Sequence, residues 1–323
     1  MINSIVSLIS VLIISVLSFL GITAEPINAK TSTEAVFEFI SDTHIDCDEY
    51  ILQTFLKAGL YDIKNAECEI NGIVISGDIT NYGDSESLDT FYDILNKKAP
   101  VDNIVIASGN HDIGHAEDRG LTNDEARENF INKYNEYSGK ETDKIYYSTE
   151  VDGYTFIILS DESEDNWDAL EMSEEQLTFL DEELKKSSSS EKPVFVVCHW
   201  PVYGPNGLVT VYEDGLMEIP DSEKVHNIMK QYKNVFFVSG HAHAGFNGVL
   251  VNNAFNVSYV ETIDGVTYVN LPSFGLPNRY GIPWPCTGLH AEIYKDKVVF
   301  RPRNYLRGSW YERRNVTVPL TTD

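Results

Sequence analysis

The chain is predicted to fold as an α/β protein, with a largely parallel sheet and a second, antiparallel sheet packed on it. Three observations predict this. Short β-branched or aromatic runs of strand length recur through the first two thirds of the chain, separated by segments long enough for helices. Five of those runs close on residue types that bind metals. From Val249 onward the pattern changes to short alternating stretches.

In chain order, Ile5 to Ile22 is uncharged and apolar, broken by serines and one glycine, and small and polar residues follow it. Residues 1–24 are therefore expected to be a secretory leader, with cleavage after Ala24 or Ala29, although a basic start is absent. An uncleaved membrane anchor is the rival, since the run approaches bilayer-spanning length. No later stretch is long and apolar enough to span. The folded domain is expected over 34–323.

The five strand runs that follow are "AVFEFISDTH", "GIVISGDIT", "NIVIASGNHD", "PVFVVCHWP" and "NVFFVSGHAHAGF". Helices are expected at Glu49 to Leu60, Ser85 to Lys97, Asn123 to Tyr137, Ser173 to Lys186 and Asp221 to Tyr232. Thr122-Asn123 and Asp221-Ser222 supply side chains able to cap free backbone donors. "KKSSSSEKP", residues 185–193, is a solvated loop inside the alternating pattern. In "FNVSYVETIDGVTYVNLP" the central "IDGV" predicts a tight hairpin, with Gly265 able to take a positive φ. "LHAEIYKDKVVFRPR" continues the alternating pattern, and there are no internal repeats.

Ligands gather at the carboxyl ends of parallel strands, so the five polar clusters are expected to converge. In "GHAH" the two histidines are two apart, and in an extended segment both side chains point the same way. The convergent set is Asp42, His44, Asp78, Asn110, His111, Asp112, His199, His241 and His243. Carboxylates, imidazoles and one amide suit Zn, Mn or Fe, and no paired-cysteine motif suggests a closed structural zinc site. The set is too large for one ion. Two metals sharing a bridging carboxylate would use it, lowering the pKa of a water and stabilising charge on a phosphoryl group. Gly77, Gly109 and Gly240 stand immediately before ligand positions, where the backbone must turn sharply.

Composition narrows the partner. Fifty acidic against 24 basic residues give a net charge of −26, which argues against nucleic acid, since that partner requires a basic footprint. Four cysteines, Cys47, Cys68, Cys198 and Cys286, allow up to two disulfides outside the cell, with Cys47–Cys68 the pair to test; Cys198 in "VFVVC" reads as a buried small hydrophobe. Asn256-Val257-Ser258 and Asn315-Val316-Thr317 are glycosylation sequons. Together with the leader these features point to a secreted protein.

Taken in order, "DTH", "GD", "GNHD", a lone histidine after an apolar strand, and "GHAH" resemble the signature of the calcineurin-like metallophosphoesterases over roughly residues 35–275. The resemblance implies a four-layer αββα sandwich of two mixed β-sheets flanked by helices. It also implies that Asp42, His44 and His243 bind one metal, Asn110, His199 and His241 the other, and that Asp78 bridges. The substrate would be a small-molecule phosphate mono- or diester, attacked by a metal-activated hydroxide. His111 would act as general acid toward the leaving alcohol, with Asp112 orienting its ring. Purple acid phosphatases of this superfamily carry a tyrosine three residues after the aspartate of "GD". Here "GDITNY" puts Tyr82 one place too far, and His44 supplies a ligand those enzymes lack.

His115, Trp200, Tyr203 and Asn206 are candidates for substrate contact, the last three because "HWPVYGPNG" follows a ligand on a Pro/Gly-rich loop. His226 and His290 read as structural. The basic tail "RPRNYLRGSWYERR" either attracts an anionic substrate or pairs with surface acids. A serine hydrolase is disfavoured because no GxSxG elbow occurs, and nucleotide-cradling glycine loops are missing. The alternative from another class is a catalytically silent metal-binding or surface-recognition protein on the same scaffold.

Overall fold

The computed structural model describes residues 24–163, 170–188, 190–202, 219–246, 259–278 and 284–322. Its first half runs β1 (Ala35–Ile40), α1 (Tyr50–Lys64), β2 (Gly72–Ser76), α2 (Ser85–Lys98), β3 (Ile104–Ala107), the single turn α3 (Asn110–Ile113), a 3-10 turn (Ala116–Arg119), α4 (Asn123–Ser138), β4 (Tyr147–Val151) and β5 (Tyr154–Ile158). Then come α5 (Glu174–Ser187), β6 (Val194–Val197), α6 (Ile219–Met229), β7 (Val235–Ser239), β8 (Val260–Ile263) and β9 (Val266–Asn270). Strands β10 (Thr287–Ile293), β11 (Lys297–Asn304), β12 (Ser309–Trp310) and β13 (Val316–Pro319) complete the chain.

The strands form two mixed sheets. The first has the order β12-β11-β10-β1-β2-β3 with β13 paired to β11, and the second the order β4-β5-β6-β7-β9-β8. Strands β1, β2 and β3 are parallel, as are β5, β6, β7 and β9. This corrects the expectation of one parallel and one antiparallel sheet. The late strands divide: β8 and β9 extend the second sheet, whereas β10 joins β1 antiparallel and carries β11 with it. Alternation within a segment identifies a strand but not its partner. The four-layer sandwich implied by the family resemblance is the arrangement found.

Period-two alternation places the layers. In β1, Phe37 and Phe39 face the opposite sheet, and Val36 and Ile40 face the outer helices. Between the sheets, Phe156 stacks on Phe195 at 5.2 Å, Phe195 meets Phe236 at 5.4 Å, and Phe37 meets Phe156 edge-on at 5.1 Å. Outside, Leu52, Leu56 and Leu60 of α1, Leu88 and Phe91 of α2, and Leu177, Leu180 and Leu184 of α5 bury the apolar stripes of their helices.

Helix starts follow local chemistry. Asp84 accepts from Ser87 N, Ser173 accepts from Gln176 N, and Thr122 with Glu125 forms a capping box. The last helix begins at Ile219, two residues before the expected start at Asp221. The expected hairpin is present, with Asp264 at φ 50° and Gly265 at φ 85° between β8 and β9.

All four cysteines are free. Cys47 and Cys68 flank the 15-residue α1, whose length of about 22 Å keeps them apart. His290 is buried against Glu38 at 2.7 Å, and His226 bonds Tyr268 and Asp264. In the basic tail, Arg301 bonds Glu292, Arg303 bonds Asp62, and both cover Trp310. These two arginines therefore pair with acids. Among the described residues no helix is long and apolar enough to cross a membrane.

Phe195 sits at the centre of the intersheet aromatic stack, so Phe195→Ala is expected to lower stability by about 3–5 kcal/mol. Denaturant unfolding would show this as a lower midpoint with an unchanged slope.

Candidate metal centre

Strands β1, β2 and β3 of the first sheet and β6 and β7 of the second end on the same side of the molecule, and the chain turns there into the predicted clusters. Beyond β1 and β2 the backbone keeps pairing: Asp42 N donates to Gly77 O, His44 N to Asp78 O and Ile45 N to Ile79 O. Asp42, His44, Asp78, His241 and His243 nevertheless lie at φ between 44° and 62°. Left-handed backbone costs a side-chain-bearing residue about 1–2 kcal/mol. Five such residues at one place show a backbone bent to aim side chains, and the hydrogen bonds around them hold it there.

Two glycines are required for the same close approach. A Cβ at Gly109 would overlap Asp78 Oδ1 and the Asp78 backbone nitrogen. One at Gly240 would overlap Ser41 Oγ and come within 2.6 Å of Asp42 Oδ2.

The aimed side chains meet. Ligand atoms of Asp42, His44, Asp78 and His243 lie within 4.8 Å of one another, and all four residues are buried. His44 Nε2 is 3.2 Å from His243 Nε2, and His243 Nε2 is 3.0 Å from Asp42 Oδ1. Asp78 Oδ2 stands 3.7 Å from His44 Nε2 and 3.1 Å from His199 Nε2. On the far side, His241 Nδ1 is 3.0 Å from Asn110 Oδ1, and the His199 and His241 rings meet edge-on at 5.3 Å.

Hydrogen bonds at the outer ring nitrogens set the tautomers. His199 Nδ1 lies 2.7 Å from the Ser76 carbonyl and His44 Nδ1 3.0 Å from Asn81 Oδ1. With acceptors there, Nδ1 carries the proton and Nε2 presents its lone pair to the carboxylates. Lone pairs converging on buried carboxylates need a cation between them. Asp42 Oδ2 is buried without a hydrogen-bond partner, which fits that need.

Titration follows the same logic. Burial would raise the Asp42 carboxyl, but His243 and His199 outweigh it and hold it at about 2. Asp78 is likewise ionised well below the ordinary range: burial opposes this, and His199 and His111 overcome it. Burial drives His44 down to about 3, and burial together with His199 does the same to His241. Both imidazoles are thus neutral, the form that binds metals. His199 moves the other way, to about 9: burial lowers it, but Asp78 and Asp42 more than compensate. Without a metal, its proton supplies part of the missing positive charge.

The remaining predicted residues are placed as follows. His111 is half-buried; its backbone N–H donates to Asp78 Oδ1 at 2.9 Å and its Nδ1 lies 3.0 Å from the Asn81 carbonyl. Asp112 is buried and accepts from Ile79 N, Thr80 N, Thr80 Oγ1 and Gly109 N. It braces the loop after β2 instead of orienting the His111 ring as expected, because those four donors occupy its oxygens. Burial and Asp78 raise its carboxyl to about 6. His115 stacks on His111 at 3.9 Å. Trp200 is fully buried, edge-on to His199 at 5.4 Å, and so backs the ligands from inside. Tyr203 and Asn206 lie outside the described residues.

Asn81 was not singled out from sequence, yet its side chain holds His44 and its carbonyl holds His111. The available signal was its position: it stands three residues after Asp78, where the purple acid phosphatases have their tyrosine.

A buried Asp/His centre that could hold a metal ion thus lies at the carboxyl ends of strands from two mixed sheets of an α/β fold. A profile of the calcineurin-like phosphoesterases matches residues 37–245. The chain belongs to that family, and it is a metal-dependent phosphoesterase. Among solved structures, a dimetal phosphatase from Danio rerio shares the fold at 17% identity and a TM-score of 0.60, covering 90% of this chain and 100% of its own. A 5'-nucleotidase from Staphylococcus aureus aligns at 14% identity and a TM-score of 0.46, over 90% of this chain and 55% of its own. Vps29 from Entamoeba histolytica aligns at 13% identity and 0.35, over 88% and 99%. No curated protein matches the chain in sequence.

Asn81→Ala is expected to weaken metal binding about 10- to 100-fold, read by competition with a chelating dye. A pH effect follows from His199. Its pKa rises from 6.5 to about 9 on folding, so its protonation stabilises the metal-free protein fully below pH 6.5 and ceases to do so as pH passes through about 9. The melting temperature of the metal-free protein should therefore fall across that window more steeply than that of the metal-loaded protein.

Proposed function

We propose that the protein is an exported phosphoesterase that works with two metal ions, Fe, Mn or Zn, on small-molecule phosphate mono- or diesters. The observation that carries this reading is the position of Asp78, whose Oδ2 stands near ligands of both sets, 3.7 Å from His44 Nε2 and 3.1 Å from His199 Nε2. Asp42, His44 and His243 would hold one ion and Asn110, His199 and His241 the other, with Asp78 between. Ions bound there would polarise the phosphoryl group and acidify water at the site.

The chain's own residues supply the proton. His111 donates Nδ1–H to the Asn81 carbonyl, so its other ring nitrogen, Nε2, is the one able to pass a proton to a departing alkoxide. Stacking on His115 and an edge contact with His44 at 4.7 Å hold the ring plane. An acidic surface suits a compact substrate better than a long polyanion, which it would repel. Export is supported by the apolar leader and by the Asn315 sequon, which is exposed.

The test is metal content of the purified protein together with hydrolysis of p-nitrophenyl phosphate and bis-p-nitrophenyl phosphate. About two metals per chain are expected, and His111→Ala should cut kcat by about 10²- to 10⁴-fold while leaving metal content unchanged. Unaltered turnover in that variant would remove His111 from the chemistry. Bound metal without turnover on either ester would favour the silent scaffold.

A further inference from the structure

We propose that Glu25 is the first residue of the mature protein, and that the Ala24–Glu25 bond is where a leader peptidase acts. The inference rests on the export reading and on how residues 24–29 are built into the fold. They form a strap over the outer face of the first sheet. Glu25 N donates to Gly308 O at 2.7 Å, and Arg303 Nη2 donates to Glu25 O at 2.7 Å. Ile27 is fully buried, and its carbonyl accepts from Glu67 N at 2.7 Å. Arg301 Nη1 donates to Asn28 O at 2.8 Å.

The strap covers a charged network that tolerates little exposure. Beneath it, Glu38 accepts from Tyr305 and meets His290, while Glu292 accepts from Arg301 and Tyr294. Arg303 is fully buried. Buried charges of this kind depend on every partner being present.

Both candidate bonds have alanine on the acyl side, as leader peptidases require. They differ in what remains. Hydrolysis after Ala29 removes Ile27 from the core and takes the Glu25 and Asn28 carbonyls from Arg303 and Arg301. Hydrolysis after Ala24 removes none of these. Water adds across that amide, leaving a carboxylate on Ala24 and an ammonium on Glu25. The Glu25 nitrogen keeps Gly308 O as its acceptor and gains charge, which strengthens the bond. Ala24 itself stands against Gly308, where a Cβ on the glycine would come within 2.8 Å of the alanine Cβ.

The test is to express the full chain with its own leader in a secretory host and determine the N-terminal sequence and intact mass. Chains begun at Glu25 and at Lys30, and Ile27→Ala in the longer one, are then compared by melting temperature. An N-terminus at Glu25 is expected, with the Lys30 chain melting on the order of 5–10 °C lower and Ile27→Ala falling between the two. An N-terminus at Lys30, or retention of residues 1–24, overturns the proposal; equal melting of the two chains overturns the strap as its basis. Phosphoesterase activity is assayed separately, so its loss would bear on the catalytic reading and leave the N-terminus decided.

Discussion

Two buried carboxylates, Asp42 and Asp78, face one small volume between the ends of two sheets, and their charge has to be answered. Isolated negative charges in a protein interior are too costly to persist. Much of the surrounding structure serves as that answer. Histidines come from three separate strand ends, and His44 and His199 have their outer nitrogens pinned so that the inner ones point at the carboxylates. The backbone is bent into left-handed conformations to bring them there. Glycines stand where any side chain would intrude on the carboxylate oxygens. A cation completes the arrangement, and the free protein approximates it by protonating His199.

The fold makes this possible by a division of labour. Aromatic residues between the sheets fix how the two sets of strands stack, so that ends belonging to different sheets arrive at one place. The loops then need only short reach. Asp112 illustrates how tightly they are tied: its carboxylate joins the segment after β3 to the backbone after β2. A carboxyl placed among peptide N–H groups rigidifies a loop crossing without contributing another metal ligand.

Much of this was legible in the sequence, and what was not has physical causes. The ligands declared themselves because each cluster follows a run of apolar residues, and Asp78, Asn110 and His241 directly follow a glycine, a local pattern tied to a local need. Thr122 announced its helix for the same reason, since a cap acts within one turn. Strand partnership was hidden. Whether β10 pairs with β1 or with β9 depends on burial across the whole molecule, and "LHAEI" alternates the same way in either sheet. Asn81 was missed because its effect runs through one amide oxygen and one carbonyl, and the carbonyl is present at every residue. The role of Asp112 was misread because adjacency to His111 in sequence implied contact, whereas the turn of α3 directs the carboxylate inward.

Strand direction has a practical consequence for handling the molecule. Strand β11 runs parallel to β1, so the Gly308 turn, and with it Ala24, lies at the end of the sandwich that carries the metal centre. Strand β13 pairs with the beginning of β11, with Pro319 beside Lys297, which puts the carboxyl terminus at the opposite end. An affinity tag or a linker to a solid support fused ahead of Glu25 would therefore sit at the end that carries the metal centre. The same fusion after Thr322 would hold the protein by its opposite end and keep the pairing of Thr321 with Asn234.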